Sequence, residues 1–200
     1  MHSAAPDIFV QPAARPDTPL LAWLAEAQAH PVSEPNAVAM ATANRDGIAS
    51  NRVVQILDAS ADGLLFATHD DSPKGQDFKA TGWASCVFYW REQGRQMIVA
   101  GHVSELDSAA SDRLWAARPA ASHAMSTVSH QSAPLADVEG LRRQAMEAAG
   151  HPALPRPARW RGYRLSLEVV EFWAFAADRL YPRLKYQKRA DAWHCQRLQP

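Results

Sequence analysis

Ala37-Val38-Ala39-Met40-Ala41-Thr42-Ala43, then Asn44-Arg45-Asp46-Gly47, then Ile48-Ala49-Ser50-Asn51-Arg52-Val53-Val54-Gln55-Ile56-Leu57 reads as two strands about a turn. Two strand-like segments flank the turn punctuation of Asn44-Arg45-Asp46-Gly47, which is the pattern of an antiparallel hairpin. The pattern continues outward. A turn at Asp58–Gly63 leads to Leu64–Thr68, and further strands are expected at Ala84–Trp90 and Gln96–Leu106. Toward the C-terminus, Tyr163–Ala174 alternates through Leu165, Leu167 and Val169, followed by Leu180–Gln187 and Ala192–Leu198. Short strands joined by hairpin-sized turns favour an antiparallel barrel over a parallel sheet.

Helices flank these strands. Leu20–Ala27 carries apolar residues at i, i+3 and i+4, opened by Pro19 near the first helical position and ended before Pro31. Ser72-Pro73-Lys74-Gly75-Gln76-Asp77-Phe78-Lys79 reads as a capped helix with Ser72 as N-cap and Pro73 at N1. Asp107–Ala117 and Leu135–Ala149 are expected to be helical, with Asp107 and Ala136-Asp137 as start signals. The class is therefore mainly β with flanking helices, α+β. Residues 1–18, with Pro6, Pro12 and Pro16, read as a flexible arm, and 19–200 as a single domain. The proline-rich stretch His151–Pro157 is a loop within it.

Composition limits the function. The 200 residues are 47% hydrophobic and 21% charged, enough for one core without disulfide or metal staples. A formal net charge of zero argues against a polyanion-coating protein. The charge is uneven: residues 151–200 hold ten Lys or Arg against four Asp or Glu. That basic third fits either a local anion site or a solvated basic face. No apolar run approaches the roughly 20 residues of a membrane span, and Met1-His2-Ser3-Ala4-Ala5-Pro6-Asp7 lacks the basic and apolar regions of a leader. Two cysteines, Cys86 and Cys195, suit neither a disulfide scaffold nor a zinc cluster, so a reduced, cytoplasmic setting is expected.

Several chemistries lack their motifs. There is no glycine-rich dinucleotide or P-loop pattern and no G-x-S-x-G elbow. The histidines are scattered without metal-ligand spacing, so no metal site is expected. Cys86 alternates with apolar neighbours and reads as core. Arg156–Arg164 is basic but carries no nucleic-acid motif. What remains is a set of cationic and hydroxyl-bearing residues at strand and helix ends, such as Arg52, Thr68, Ser72 and Lys74. Such groups hold a phosphate where Arg and Lys supply charge and a helix N-terminus completes the shell.

Seven blocks in order sharpen that set. They are Asn51-Arg52-Val53-Val54, Phe66-Ala67-Thr68 with Ser72-Pro73-Lys74-Gly75, and Arg95-Gln96-Met97-Ile98-Val99-Ala100-Gly101. Ser129-His130-Gln131-Ser132, Glu171-Phe172-Trp173, Arg179-Leu180-Tyr181-Pro182-Arg183 and Arg197-Leu198-Gln199-Pro200 follow. From about residue 18 to the C-terminus this series resembles the pyridoxamine 5′-phosphate oxidase family of FMN enzymes. The resemblance implies an FMN-binding split β-barrel homodimer with the flavin at the subunit interface. It implies FMN contacts from Arg52, Val53, Val54, Ala67, Thr68, Ser72, Lys74, Gln131, Ser132, Trp173 and Arg183, with Gln96 reaching across the interface. The family often has Arg where Pro73 stands, so one phosphate contact is expected to be missing.

The substrate side departs from the vitamin B6 enzymes. Where they clamp a substrate phosphate with lysine, tyrosine, arginine and serine, this chain has Leu57, Leu114, Arg118 and Ser122. Losing the lysine charge and tyrosine hydroxyl removes contacts of roughly 1.5–3 and 0.5–1.5 kcal/mol. Arg-x-His against the substrate ring becomes Arg179-Leu180-Tyr181, the two ends of which are expected nearest the substrate, with no general base assigned. Ala67-Thr68-His69, Trp83-Ala84-Ser85, Tyr89-Trp90-Arg91-Glu92 and Arg118-Pro119 with Ser122-His123-Ala124-Met125-Ser126 resemble the flavin oxidases of phenazine biosynthesis. That resemblance implies oxidation of a partly reduced, carboxylated tricycle with dioxygen as acceptor. Leu57, Leu114 and Tyr181 suit its rings, and Arg118 or Arg179 its carboxylate. The alternatives are a pyridoxine 5′-phosphate oxidase and a non-catalytic flavin- or haem-binding split-barrel protein.

Overall fold

In a computed structural model, residues 7–151, 154–190 and 192–200 are described. The first six residues of the expected arm and part of the 151–157 loop lie outside them. The hairpin is formed by β1 (Ala37–Ala43) and β2 (Ala49–Gln55), with Met40 opposite Arg52. Its turn is fixed by Asn44, whose Oδ1 accepts from the Asp46 and Ile48 amides at 3.0 and 2.9 Å. Gly47 there has φ +76°, a left-handed backbone that glycine adopts without a Cβ penalty.

The other edge of β1 pairs with β5 (Trp83–Trp90), and β5 pairs along its whole length with β6 (Arg95–Glu105). There the sheet forks. Arg95–Ala100 of β6 pairs with β8 (Val169–Ala174), which continues through β9 (Arg183–Arg189) to β10 (Ala192–Leu198). Val103–Glu105 pairs instead with β7 (Trp160–Leu165), which leads to β4 (Gly63–His69) and β3 (Asp58–Ser60). Gly101 marks the fork, because a Cβ on it would run into the Ser166 carbonyl. Among the described residues, the result is an antiparallel split barrel of ten strands with helices around it.

Alternation supplies the core. Val38 and Met40 of β1 share one buried core with Phe66, Phe88, Met97 and Phe172. Cys86 lies among them as expected, its thiol pushed up to about 12 by burial, while Cys195 is exposed. α1 (Asp17–Ala29) lays Leu20, Trp23, Leu24 and Ala27 on this core at helical spacing. It starts two residues before Pro19, which therefore sits at the third helical position. α2 (Pro73–Thr81) has Ser72 as N-cap and Pro73 at N1. α3 (Ser108–Ala117) and α5 (Val138–Ala149) are capped by Asp107 and Asp137, α5 opening three residues later than the apolar pattern suggested.

Three details differ from the sequence reading, and the arm makes defined contacts. Tyr163–Ala174 is two strands, because the chain leaves one branch of the fork at Leu165 and joins the other at Val169. Asp58–Ser60 is a short strand rather than part of a turn. A helix at His123–Val128, α4, was not foreseen. The arm is tied down from Asp7 onward: Arg197 donates from Nε to the Phe9 carbonyl and from Nη2 to the Val10 carbonyl, at 2.9 and 3.1 Å. Tyr186 Oη donates to the Ala13 carbonyl at 3.0 Å. Among the described residues, no helix is long and apolar enough to cross a membrane.

Candidate functional site

The expected site residues fall into two groups within one chain. The first gathers at the start of α2. Ser72 donates to the His69 carbonyl at 2.6 Å and accepts from the Gly75 amide at 3.3 Å, which ties the end of β4 to the first helical turn. This places Lys74 Nζ 2.9 Å from Thr68 Oγ1, 3.4 Å from Ser72 Oγ and 2.6 Å from Gln131 Oε1. Lys74 is only 5% exposed, and every one of these partners is a neutral oxygen. Burial, with the nearby Arg52 guanidinium adding to it, pulls its ammonium down to about 8.

Arg52 extends from β2 and donates to Thr42 Oγ1 at 2.7 Å, while Thr42 donates to Asp77 Oδ2 at 2.5 Å. Asp77 is thus spent on Thr42 and faces Arg52, and among the described residues Lys74 has no carboxylate partner. A buried cation ringed by hydroxyls and an amide oxygen is the donor set a phosphate would complete. The residues present therefore fit the phosphate end of FMN. Val54 is buried, whereas Val53 is 71% exposed beside Arg52, and Ala67 lines the outer face of β4. Ser132 is exposed, in a left-handed backbone at φ 68°.

Beside this group lies a cavity of about 220 Å³ lined by Ala67, Thr68, His69, Arg118, Gln131 and Trp160, among others. Arg118 sits over the Trp115 and Trp160 rings, 5.6 and 5.5 Å from their centroids, and donates to Ser126 Oγ at 2.9 Å. Burial lowers its pKa. His123 stacks on Trp115 from the side of α4, so the unforeseen helix builds this wall. Arg159 fixes the adjoining loop by donating to the Thr127 and Ser129 carbonyls at 2.5 and 2.9 Å. His130 is held by Asp71 Oδ2 at 2.8 Å, immediately before Gln131.

The second group sits on the other branch. Gln96, Trp173 and Arg183 are cross-strand neighbours on β6, β8 and β9. Tyr181 lies 5.1 Å from the Trp173 ring and 6.0 Å from the Phe175 ring, and Phe175 is 64% exposed. Arg183 donates from Nε to Glu171 Oε1 at 2.8 Å and from Nη1 to the Gln199 carbonyl at 3.2 Å. Its charge is thereby balanced, unlike that of Lys74. Arg179 is exposed at the tip of the turn before β9, in a left-handed backbone at φ 65°.

The remaining positions are dispersed. Leu57 is half exposed and lines a cavity against α1. Leu114 leans over Gly162 of β7, where its Cδ1 fills the space a Cβ would need. Ser122 ends a short 3₁₀ turn before α4. A single chain thus brings Thr68, Ser72, Lys74 and Gln131 together, with Arg118 alongside, and leaves the Trp173–Tyr181–Arg183 group apart. Sequence reasoning passed over His69, Arg159 and Ser126 as site residues. His69 and Ser126 were visible only as parts of quoted blocks, and Arg159 takes its place through its bonds to the carbonyls at the end of α4.

Residues 24–151 match the family described as pyridoxamine 5′-phosphate oxidase. Residues 160–200 match the pyridoxine 5′-phosphate oxidase C-terminal dimerisation region. Dihydrophenazinedicarboxylate synthase of Burkholderia lata is 45% identical over 193 residues, spanning 96% of this chain and 91% of that protein. A pyridoxine/pyridoxamine 5′-phosphate oxidase of Herminiimonas arsenicoxydans is 37% identical over 191 residues, spanning 94% and 90%. The crystal structure of PhzG from Burkholderia lata, in complex with tetrahydrophenazine-1-carboxylic acid, matches with a TM-score of 0.95 and 42% identity. That match covers 99% of this chain and 98% of the other.

Proposed function

The chain belongs to the pyridoxamine 5′-phosphate oxidase family, and from that premise we propose that it is an FMN-dependent oxidase of partly reduced phenazine carboxylates. The observation that carries this reading is the likeness, over nearly the whole chain, to a structure holding a reduced tricyclic carboxylate. The pocket chemistry agrees with it. Leu57 and Leu114 stand where a phosphate clamp needs a lysine and a tyrosine, and leucines would leave phosphate oxygens against apolar surface.

In this reading Lys74, Thr68, Ser72, Gln131 and Ser132 hold the FMN phosphate, and Arg52 adds charge from β2. Val53, Val54 and Ala67 line its path. Gln96, Trp173 and Arg183 serve the flavin bound by the other copy, which is why they stand apart within one chain. When bound, the flavin supplies a two-electron acceptor: the substrate loses a hydride and a proton, and dioxygen takes up two electrons and two protons as hydrogen peroxide. The protein orients the substrate. Tyr181 presents an aromatic face to the rings, Arg179 stands beside it and Arg118 lies toward the opposite end; Leu57, Leu114 and Ser122, dispersed within one chain, are assigned to the substrate side by the resemblance alone. Aromatisation drives the reaction, so no residue is assigned as base.

The experiment is anaerobic mixing of the FMN-loaded protein with a chemically reduced phenazine carboxylate. Loss of the visible flavin band, its return on admitting air and equimolar hydrogen peroxide are expected. A flavin bleached by pyridoxine 5′-phosphate and indifferent to the reduced phenazine would assign the vitamin B6 reaction instead. A flavin bleached by neither would leave a flavin-binding protein without oxidase activity on these substrates.

A further inference from the structure

Thr42 of β1 and Asp77 of α2 are buried polar side chains, 4% and 8% exposed, that meet between the hairpin and the helix. A threonine hydroxyl has one proton to give, and this one goes to Asp77 Oδ2 at 2.5 Å. The oxygen is thereby left to accept, and Arg52 Nη1 donates to it at 2.7 Å and to the Met40 carbonyl at 3.4 Å. Arg52 Nη2 donates to Ser50 Oγ. One edge of the guanidinium is thus fastened, although β2 ends the sheet and both neighbours of Arg52, Asn51 and Val53, are exposed. Asp77 also stands three residues after Lys74 on α2, a spacing at which a carboxylate and an ammonium can pair. Here they do not: Lys74 reaches Thr68, Ser72 and Gln131, and Asp77 is turned to Thr42.

We propose that Thr42 and Asp77 are positioning residues for Arg52: the Asp77 carboxylate orients the Thr42 hydroxyl, and that hydroxyl holds the guanidinium beside Lys74 before a flavin phosphate arrives. The inference rests on the FMN reading above and concerns the phosphate end alone. The relay has two effects. Arg52 and Lys74 are like charges that repel, and the nearby guanidinium disfavours the Lys74 ammonium. A long arginine side chain at the end of a sheet would relieve that repulsion by turning to solvent, so a tether is needed to keep it in place. Ordering it in advance means that less side-chain freedom is lost when the ligand binds. The second effect is on Lys74. With Asp77 held by Thr42, the carboxylate a turn away does not neutralise the ammonium, whose charge stays open to an anion. A tie that merely joined α2 to β1 would not depend on Arg52 or on the phosphate, and that difference is measurable.

The full-length protein, freed of flavin by dialysis, is titrated with FMN and with riboflavin, which has the same rings and ribityl chain but no phosphate. Binding is followed by quenching of flavin fluorescence, and the wild type is expected to bind FMN more tightly. Thr42→Val, which keeps the shape and removes the hydroxyl, should raise the FMN dissociation constant about tenfold and leave that of riboflavin unchanged. Asp77→Ala should do the same, and Thr42→Ser should keep most of the wild-type difference. In an Arg52→Ala background, Thr42→Val should have no further effect on FMN, because the group it acts through is gone. An FMN constant that stays at the wild-type value in Thr42→Val and Asp77→Ala would overturn the inference. So would an equal loss of FMN and riboflavin, which marks a structural tie, or an effect that adds in full to that of Arg52→Ala. Each of these leaves the FMN reading standing. A wild type that binds riboflavin as tightly as FMN would remove the phosphate reading itself, and the inference with it.

Discussion

Lys74 shows how one side chain carries both a cost and a purpose. Its ammonium is buried among neutral oxygens and lowered to about 8 from an ordinary value of 10.5. Between those values the folded, flavin-free protein binds fewer protons at this site than the unfolded chain does. Its contribution to stability therefore rises as pH climbs through that window, the reverse of a favourable ion pair. Flavin affinity should move the other way. Once Lys74 loses its proton above about pH 8, the FMN dissociation constant should rise about tenfold per pH unit, followed by flavin fluorescence. Lys74→Arg should flatten that slope, and Lys74→Ala should weaken binding throughout by about 1.5–3 kcal/mol. A wild-type constant that is flat from pH 7 to 10 would show that Lys74 does not meet the phosphate. At this scale the ordered blocks picked out Thr68, Ser72, Lys74 and Gln131, which the fold brings together. It could not show that Arg183 is already matched by Glu171, since that pairing depends on the β8–β9 register.

Among the elements, α2 is the one that positions the site, and its start was legible because Ser-Pro is a local signal. Ser72 is fully buried and joins β4 to α2 through its two hydrogen bonds. Ser72→Ala should cost about 1–2 kcal/mol, lowering the thermal midpoint by about 2–8 °C by calorimetry, and should loosen flavin as well. Gly75 is equally constrained: a Cβ there would stand 2.6 Å from both the His69 and Asp70 carbonyl oxygens. Gly75→Ala must push the helix from the strand and should release flavin even where the protein remains folded, read as the ratio of visible to ultraviolet absorbance. The hairpin of residues 37–57 and the Asp107 and Asp137 caps were readable for the same reason as Ser72: their signals lie within a few residues. The break between β7 and β8 was not, because Leu165, Leu167 and Val169 keep one alternation across it while the chain changes branch. The helix α4 was missed because its ordering comes from Trp115, eight residues before it across a turn, and from Arg159, distant in sequence.

At the scale of the molecule, one chain carries two different halves of the proposed site, set apart from each other. The Lys74 group and the Trp173–Tyr181 group occupy different branches of the forked sheet, and Val53, Tyr89, Phe175 and Leu180 leave large apolar side chains 63–71% exposed. Exposure of that kind marks a surface meant for a partner, and residues 160–200 match a dimerisation region. Sedimentation should therefore give about twice the 22.0 kDa of one chain, with flavin retained only in the dimer; a flavin-loaded monomer would break the shared-site account. The antiparallel barrel followed from counting short strands and turns, whereas its split form and the proposed sharing of the site between two copies came only with the resemblance of the ordered blocks. The central claim is the substrate. Leu57 and Leu114 replace contacts together worth about 2–4 kcal/mol toward a phosphate, which corresponds to a factor of about 30–1,000 in relative kcat/KM. The direct measurement is kcat/KM of the unmodified, FMN-loaded protein for a reduced phenazine carboxylate and for pyridoxine 5′-phosphate under the same conditions. The account predicts a preference for the tricycle within that range; equal values, or a preference for the phosphate, would contradict it.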